Sequence, residues 1–225
     1  SEAELRAIAA VLEKYPDILI ISDDIYEHIL FDNRKFTNLA MLFPEWKDRI
    51  FIANGVSKSY SMTGWRIGYG AGNRALIEGM ETMQSQSTSN PSSISQAAAL
   101  AALEGPQECV STMRVAFEKR KNIVMQKFSQ VPEITLSAPG GAFYVFPNLD
   151  RVFALPGFQK LRAASKDRSL SRILSAHLLE KYDVAVVPGI AFGDDSGMRL
   201  SFALGEDALI KGLDRIAKMV ADLRS

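Results

Sequence analysis

Cysteine, histidine and long apolar runs are scarce in this sequence. Its 225 residues include one cysteine and two histidines, which excludes a disulfide framework and a cysteine-based metal site, and we predict no metal site. Cys109 lies in a helical pattern, where a buried thiol is expected. No apolar run approaches the roughly 20 residues that span a bilayer, and the N-terminus lacks the design of a signal peptide. We therefore expect a cytoplasmic protein without a membrane partner.

An excess of one charge is also absent. The chain has 26 Lys and Arg against 26 Asp and Glu, so its formal net charge is zero. Nucleic acids attract proteins with a basic excess on one face, so the composition argues against a nucleic-acid partner. With 47% hydrophobic and 23% charged residues, the chain is typical of a globular protein with an ample core, and a small charged ligand stays compatible with it.

Helix and strand patterns alternate in the first part of the chain, which is typical of an α/β fold. A capping box at residues 1–4 begins a helix that ends before Pro16. The continuous apolar run at 18–22 predicts a strand buried on both faces of a parallel sheet. Residues 49–53 predict a second such strand, and 66–71 a third, in which small residues indicate that something packs closely.

The remaining pattern predicts a long connecting helix and a second group of elements. Helices are predicted at 73–83, 92–103, 106–128, 170–182 and 209–223, and strands at 142–146, 184–187 and 198–202. The amphipathic helix 106–128 is long enough to tie two domains together. Residues 153–167 are basic and lack a clean period, so we interpret them as an exposed loop.

Polar side chains follow the first two predicted strands. Asp23 and Asp24 come directly after the first strand, Tyr26 follows shortly, and Lys58 lies just past the second. Open α/β sheets bind ligands at the carboxyl ends of their strands, so Asp23, Tyr26 and Lys58 are expected to converge at one edge. The alternative is that the two aspartates only cap the next turn.

Motifs along the whole chain resemble those of the class I/II pyridoxal-phosphate aminotransferases, and most closely the bacterial-type aspartate aminotransferase subgroup. They are DDIY at 23–26, SK at 57–58 with MTGWRIGY at 62–69, PGGAFY at 139–144, and VPG at 187–189 with RLSF at 199–202. The resemblance implies the fold of the type I pyridoxal-phosphate transferases. Residues 1–104 would be the C-terminal part of the large α/β domain, and 105–225 the connecting helix and the small α+β domain.

The resemblance also implies roles for five residues around pyridoxal 5'-phosphate. Lys58 would hold the cofactor covalently and, once displaced by a substrate amine, move a proton from the substrate's α-carbon. Asp23 would keep the ring nitrogen protonated, and Tyr26 would hydrogen-bond the ring's phenolic oxygen. Arg66 would clamp the phosphate, with a hydroxyl donor from Ser57. Many relatives carry a serine three positions before the lysine, where this chain has Gly55.

Arg199 is the residue that the resemblance assigns to the substrate. It would grip the α-carboxylate in a bidentate pair, which indicates amino acids and 2-oxo acids as substrates without choosing among them. In one branch of the family an arginine four residues before Ser-Asn-Pro reads a distal carboxylate in the partner subunit; here Ser85 stands four residues before the Ser-Asn-Pro at 89–91. The family builds its sites across a dimer interface, so a homodimer is expected.

The sequence thus predicts an aminotransferase of amino-acid metabolism, in its C-terminal portion only. Family members carry an N-terminal half with a phosphate-binding loop, a stacking aromatic and an asparagine near the ring oxygen, and no such half is found here. Two alternatives stay open. The same lysine and aspartate also serve lyase and decarboxylase reactions on amino acids, and a truncated chain without a complete cofactor site would not be catalytic.

Overall fold

A three-stranded mixed sheet forms the framework of the first part of the chain. Its strands are β1 (Ile20–Asp23), β2 (Ile50–Asn54) and β3 (Tyr69–Ala71), in the order β1-β2-β3. β1 and β2 are parallel, and β2 and β3 are antiparallel. In the computed structural model, which describes residues 1–225, the chain divides into two units, Ser1–Arg114 and Val115–Ser225.

Five helices precede, separate or follow these strands along the chain. They are α1 (Glu2–Leu12), α2 (Leu39–Leu42), α3 (Arg74–Ser87), α4 (Ser93–Glu104) and α5 (Glu108–Phe128), with short 3-10 helices at Pro44–Trp46 and Thr63–Trp65. The predicted capping box is confirmed, because the Ser1 side chain accepts from the Glu4 amide while the Glu4 side chain accepts from the Ser1 backbone. The predicted long helix is also confirmed, and the boundary between the units lies inside it.

One face of the sheet is packed and the other is exposed. Ile20, Ile50 and Ile52 belong to a cluster with residues of α1 and α2, whereas the Ile21 side chain points the other way and is 74% exposed. A groove of about 390 Å³ runs along this second face, between the sheet and Met80 of α3. The prediction of a strand buried on both faces is therefore wrong for these residues, because no second layer covers the sheet.

The small residues of β3 accommodate a side chain of the neighbouring strand. A Cβ added at Gly70 would overlap the ring of Phe51, and one added at Gly72 would lie 3.0 Å from the same ring. The predicted close packing is thus confirmed, and the group that approaches is the Phe51 ring of β2. The strand itself is shorter than predicted, since it begins at Tyr69.

The second unit contains a small antiparallel sheet and four helices. The sheet has the order β4-β6-β5, formed by Tyr144–Val145, Met198–Ser201 and Val187–Pro188. The helices are α6 (Asp150–Phe153), α7 (Pro156–Ala164), α8 (Leu170–Tyr182) and α9 (Glu206–Asp222), and a 3-10 turn spans Gly189–Phe192. Most of the fully buried large side chains lie in this unit, among them Leu174 and Leu178 of α8 and Ile216 and Met219 of α9.

The interpretation of residues 153–167 as an exposed loop is wrong, because most of this stretch is helix α7. Pro156 occupies the first turn, where a proline costs no hydrogen bond. Leu155, Phe158 and Leu161 recur every three residues, and the side chain of Phe158 is completely buried. The helix also docks on the C-terminal segment, since the Gly157 amide donates to the Leu223 carbonyl at 2.9 Å. Pro156, Gly157 and the basic residues that flank Leu161 conceal this period in the sequence.

Replacing Phe158 by alanine should strongly destabilise the second unit. The ring contacts Phe153 with centroids 4.9 Å apart, and truncating a buried phenylalanine typically costs about 3–5 kcal/mol through lost burial and a residual cavity. Chemical denaturation of the chain would measure the free energy of unfolding. Leu179→Ala on α8, where the side chain is 54% exposed, is the matched control and should cost much less; equal losses would contradict the assigned core.

Two further features concern exposure and hydropathy. Cys109 is exposed, contrary to the prediction, because it lies on an uncovered side of the first turn of α5 with its Sγ 3.9 Å from the Pro106 carbonyl. None of the helices combines the length and the apolar character needed to cross a membrane.

Candidate active site

Three charged side chains lie on segments that meet at one edge of the first sheet. Asp23 is the last residue of β1, and Lys58 follows the end of β2 by four residues. Asn54, which ends β2, pairs with Tyr69, which begins the antiparallel β3, and Arg66 precedes Tyr69 by three residues. The parallel strands β1 and β2 end at the same edge of the sheet, and the antiparallel strand β3 begins there. The segments that carry Asp23, Lys58 and Arg66 therefore all adjoin this edge.

Asp23 and Asp24 have different environments. Asp24 is buried, and its carboxylate accepts from the Ser22 hydroxyl and the Asn38 amide, each at 2.7 Å. Asp23 is exposed and accepts only from the Ile25 amide, at 3.4 Å. The Asp24 carboxylate is therefore bound by two side chains and does not cap the turn, whereas the Asp23 carboxylate makes one long contact with the turn backbone and keeps lone pairs for a ligand.

The turn after β1 and the end of β2 are tied together. Tyr26 is half-buried in this turn, which is closed by the Ile29 amide donating to the Tyr26 carbonyl at 2.9 Å. The side-chain N–H of Asn54 donates to the Glu27 carboxylate at 2.7 Å, and the side-chain carbonyl of Asn54 accepts from the Gly55 amide at 2.7 Å. Asn54 thus fixes the point where the chain leaves the sheet towards Lys58.

Lys58 lies on a short helical turn, and Tyr60 at the end of this turn is hydrogen-bonded to Gln107. The Tyr60 amide donates to the Val56 carbonyl at 3.2 Å, and both Ser57 and Lys58 are half-buried. The Tyr60 hydroxyl donates to the Gln107 side chain at 2.7 Å. Burial, followed by the nearby Cys109 thiol, raises the pKa of Tyr60, so the phenol keeps the proton that it donates.

Arg66 occupies a strained position outside the strand in which it was predicted. Its φ and ψ are 49° and 51°, in the left-handed region that L-residues disfavour. Its guanidinium donates to the Thr63 carbonyl at 2.8 Å, and the side chain is exposed. The remaining N–H groups of the fork are therefore available for an anion, and backbone strain of this kind is often found at functional sites.

Gly55 is required by the packing of the loop. A Cβ at this position would lie 3.1 Å from the Cα of Gly68 and 3.3 Å from both the Ile25 side chain and the Ile67 carbonyl. A serine here would have to displace backbone. The absence of a side chain at Gly55 thus allows the close approach of the segment that carries Arg66.

The guanidinium of Arg199 lies over two aromatic rings of the second unit. Arg199 is on β6, and its guanidinium carbon is 4.6 Å from the centroid of the Tyr144 ring and 4.7 Å from that of Phe192. The side chain is half-buried, and no carboxylate of this unit pairs with it. Ring faces stabilise the cation without using its N–H donors, so the fork can bind a carboxylate from a ligand.

A buried hydrogen-bond network supports the turn that carries Phe192. Asp195 accepts from the hydroxyls of Ser169 and Ser171, at 2.6 and 2.5 Å, and from the amides of Leu170 and Ser171, at 2.8 and 3.0 Å. Burial acts to raise the pKa of Asp195, but these donors outweigh it and lower the pKa to about 2. The network joins the loop before β6 to the N-terminus of α8.

The depressed pKa of Asp195 predicts acid sensitivity of the second unit. In the unfolded chain the carboxyl titrates near its ordinary value of 3.8, so the stabilisation is complete above that pH and is lost as the pH falls towards about 2. We expect roughly 1–2 kcal/mol of acid-dependent stability from this group, allowing for solvent screening. Denaturation at pH 6 and below pH 3 measures it. Asp195→Asn should reduce the difference; an unchanged difference would contradict the assignment.

Three residues of this region were not predicted from the sequence: Phe192, Asp195 and Gln107. Phe192 lies in a turn, where no periodicity marks it, although the pattern Pro-Gly-x-x-Phe at 188–192 could have drawn attention to it. Asp195 belongs to an Asp-Asp pair before Ser-Gly, which looks like ordinary turn chemistry. Gln107 gives no signal at all, because its contact with Tyr60 depends on the fold.

The groups at the sheet edge fit pyridoxal phosphate chemically. A primary amine can bind an aldehyde, an exposed carboxylate can pair with a protonated ring nitrogen, and a guanidinium fork can bind a phosphate. These are Lys58, Asp23 and Arg66. The exposure of Asp23 and the available donors of Arg66 leave each group able to accept such a ligand.

Comparison with known proteins relates the chain to one family. The family model described as aminotransferase class I and II matches residues 1–216. A probable aspartate/prephenate aminotransferase of Rickettsia prowazekii is 47% identical over 213 residues, covering 95% of this chain and 52% of the relative. The aspartate/prephenate aminotransferase of Nitrosomonas europaea is 45% identical over 218 residues, with coverages of 97% and 54%.

A solved structure gives the same relationship. The aspartate aminotransferase of Rhizobium meliloti superposes with a TM-score of 0.89 at 40% identity, covering 98% of this chain and 54% of that one. The aromatic aminotransferase of Pyrococcus horikoshii superposes with a TM-score of 0.85 at 29% identity, with coverages of 99% and 56%. The chain spans about half the length of the relatives that it matches.

Proposed function

The chain belongs to the class I and II aminotransferases, a pyridoxal-phosphate-dependent family with the type I fold, and we propose that the whole protein transfers an amino group between an amino acid and a 2-oxo acid. The observation that carries this proposal is the strand register that brings the segments of Asp23, Lys58 and Arg66 to one sheet edge. The amine can bind the aldehyde of the cofactor, the carboxylate can pair with its ring nitrogen, and the guanidinium can bind its phosphate.

The reaction requires a proton to leave the α-carbon of the substrate. Pyridoxal phosphate, when bound, supplies an electron sink for the pair left behind. We assign the proton transfer to the Nζ amine of Lys58, which also holds the cofactor before substrate arrives. Asp23 would hold a proton on the ring nitrogen through its carboxylate, and Tyr26 would donate its phenolic O–H to the ring oxygen.

Arg66 and Ser57 are the proposed phosphate ligands. The fork of Arg66 can donate two parallel hydrogen bonds to phosphate oxygens, which fixes orientation as well as charge. Ser57 adjoins Lys58 on the same turn, so its hydroxyl would bind the phosphate while the lysine holds the aldehyde end. Gly55 supplies no side chain, and its role is to let the Arg66 segment approach.

Arg199 is proposed to bind the α-carboxylate of both substrates. A bidentate pair fixes the α-carbon and leaves the side chain of the substrate unspecified. The names of the relatives suggest aspartate as one amino donor and prephenate as one acceptor, and we propose both as substrates to be tried first.

The domain assignment and the assembly are part of the same proposal. Residues 1–104 would belong to the large cofactor-binding domain, and 105–225 to the connecting helix and the small domain. We further propose a cytoplasmic homodimer with its sites at the subunit interface. Met83 of α3 and Ile94 of α4 are 76% and 71% exposed, which supports surfaces that another polypeptide covers, and light scattering after size exclusion would give the mass.

A product panel tests the reaction type. The full-length protein would be incubated with pyridoxal phosphate and pairs of amino acids and 2-oxo acids, including aspartate with 2-oxoglutarate and glutamate with prephenate. Stoichiometric exchange of the amino group supports the proposal. Release of carbon dioxide or ammonia without a new amino acid would instead identify a decarboxylase or lyase.

A further inference from the structure

The two rings that hold Arg199 are supported in different ways. Tyr144 is on β4 and pairs with Ser201 of β6 in the backbone register, so the sheet that carries Arg199 also carries this ring. Phe192 is the last residue of the 3-10 turn Gly189–Phe192 and its side chain is 49% exposed. A half-exposed ring on a turn needs another support to remain against the guanidinium.

That support comes partly from a third ring. Phe146 meets Phe192 edge to face, with centroids 6.3 Å apart. A Cβ at Gly197 would crowd the Phe146 ring at 2.5 Å, so the loop before β6 lies directly on that ring. The contact limits the sideways movement of Phe192 but leaves the backbone of its turn to be fixed by other groups.

The backbone of the turn is fixed by Ser171 and Asp195. The Ser171 hydroxyl donates its only proton to Asp195 at 2.5 Å, which leaves an oxygen lone pair that accepts the Ile190 amide at 3.2 Å. The carboxylate is itself held by the other donors at the N-terminus of α8. The turn that carries Phe192 is thus attached to the helix by a directed chain of hydrogen bonds.

We infer that Phe192, fixed by the Asp195–Ser171 network, is a positioning residue for Arg199. The inference rests on the proposed function only in taking a substrate carboxylate as the ligand of Arg199. Because its guanidinium lies over both rings, Arg199 has lost rotamer freedom before the carboxylate arrives, so less conformational entropy is lost on binding. The ring contacts use none of the N–H donors, which therefore stay available to the ligand.

The contact of Phe192 with Arg199 predicts an effect on substrate binding rather than on the rate of the chemical step. In the full-length holoenzyme, Phe192→Ala should raise KM for the amino acid and the 2-oxo acid alike by roughly 3- to 30-fold, with kcat changed by less than about twofold. Phe192→Tyr keeps the ring and should restore both values. Ser171→Ala, which removes the hydroxyl that links Asp195 to the Ile190 amide, should raise KM in the same direction.

Nuclear magnetic resonance of the 225-residue chain provides a readout that needs neither cofactor nor turnover. The two rings should shift the Nε–H resonance of Arg199, and Phe192→Ala should move that resonance and reduce its rigidity, while Ala191→Ser in the same turn should not. A resonance that is the same in wild type and Phe192→Ala would overturn the inference. An enzyme without transaminase activity would instead refute the proposed function and leave this result standing.

Discussion

Replacing Lys58 by alanine should abolish transamination and covalent attachment of the cofactor in the full-length protein. The amine of Lys58 is assigned both the bond to the aldehyde and the transfer of the α-proton. A general acid–base group alone contributes roughly 10²- to 10⁴-fold, so turnover should fall by at least about 1,000-fold. Steady-state rates and the visible absorbance of the purified protein measure the two losses.

The control for Lys58 is an exposed lysine of the same unit. Lys47→Ala changes a side chain between the short 3-10 helix and β2 that is exposed to solvent, and it should keep both the absorbance and the rate. A Lys58→Ala protein that stays yellow and turns over at a comparable rate would show that another amine holds the cofactor.

Replacing Arg199 by alanine should have the second largest effect, and it should act on binding. A bidentate pair contains two charge-assisted hydrogen bonds, each worth about 1.5–3 kcal/mol, so kcat/KM should fall by roughly 10²- to 10⁴-fold. Arg199→Lys keeps the charge but loses the fork, and it should recover only part of the loss. Titration of both substrates separates KM from kcat.

The pattern of these losses distinguishes a substrate ligand from a structural residue. Arg199→Ala and Arg199→Lys should both retain cofactor absorbance, and Arg199→Lys, which keeps a cation near the two rings, should unfold at nearly the wild-type denaturant concentration. If both variants lose the cofactor, or if KM stays unchanged, Arg199 does not bind the α-carboxylate.

The sequence predicted secondary structure well wherever one periodicity dominated. Helix α8 was predicted with the bounds that the structure gives, Leu170–Tyr182, since its apolar residues recur at a helical spacing. Helix α7 was missed because Pro156 and Gly157 separate Leu155 from Phe158, and Lys160 and Arg162 flank Leu161. The three-residue spacing was present, but a nine-residue helix contains too few repeats to outweigh the charge.

Burial was harder to predict than secondary structure. The apolar run that contains Ile21 indicates a strand covered on both faces, yet this side chain is 74% exposed. An apolar run indicates that a strand can be buried on both faces. It does not say whether the same chain contains the element that covers the second face. The exposure of Cys109 has the same physical basis, since helical periodicity does not say which side of a helix is covered.

The candidate site was predictable where motifs mark it, and not where tertiary contacts complete it. Asp23, Lys58 and Arg199 were chosen from sequence motifs. The edge-to-face contact of Phe192 with Phe146 and the bond from Tyr60 to Gln107 depend on segments distant in sequence, and no motif marks the left-handed backbone of Arg66. The small residues Gly55 and Gly70 are explained by the close approach of other parts of the chain itself.

Identification of the lysine that pyridoxal phosphate modifies is the direct test of the role proposed for Lys58. The full-length protein would be incubated with pyridoxal phosphate, reduced with borohydride and digested with trypsin, which does not cleave after a modified lysine. We expect one major modified peptide, residues 50–66, which follows Arg49, ends with Arg66 and carries the pyridoxyl group on Lys58. A pyridoxyl group found stoichiometrically on a different lysine, or no adduct at all, would contradict it.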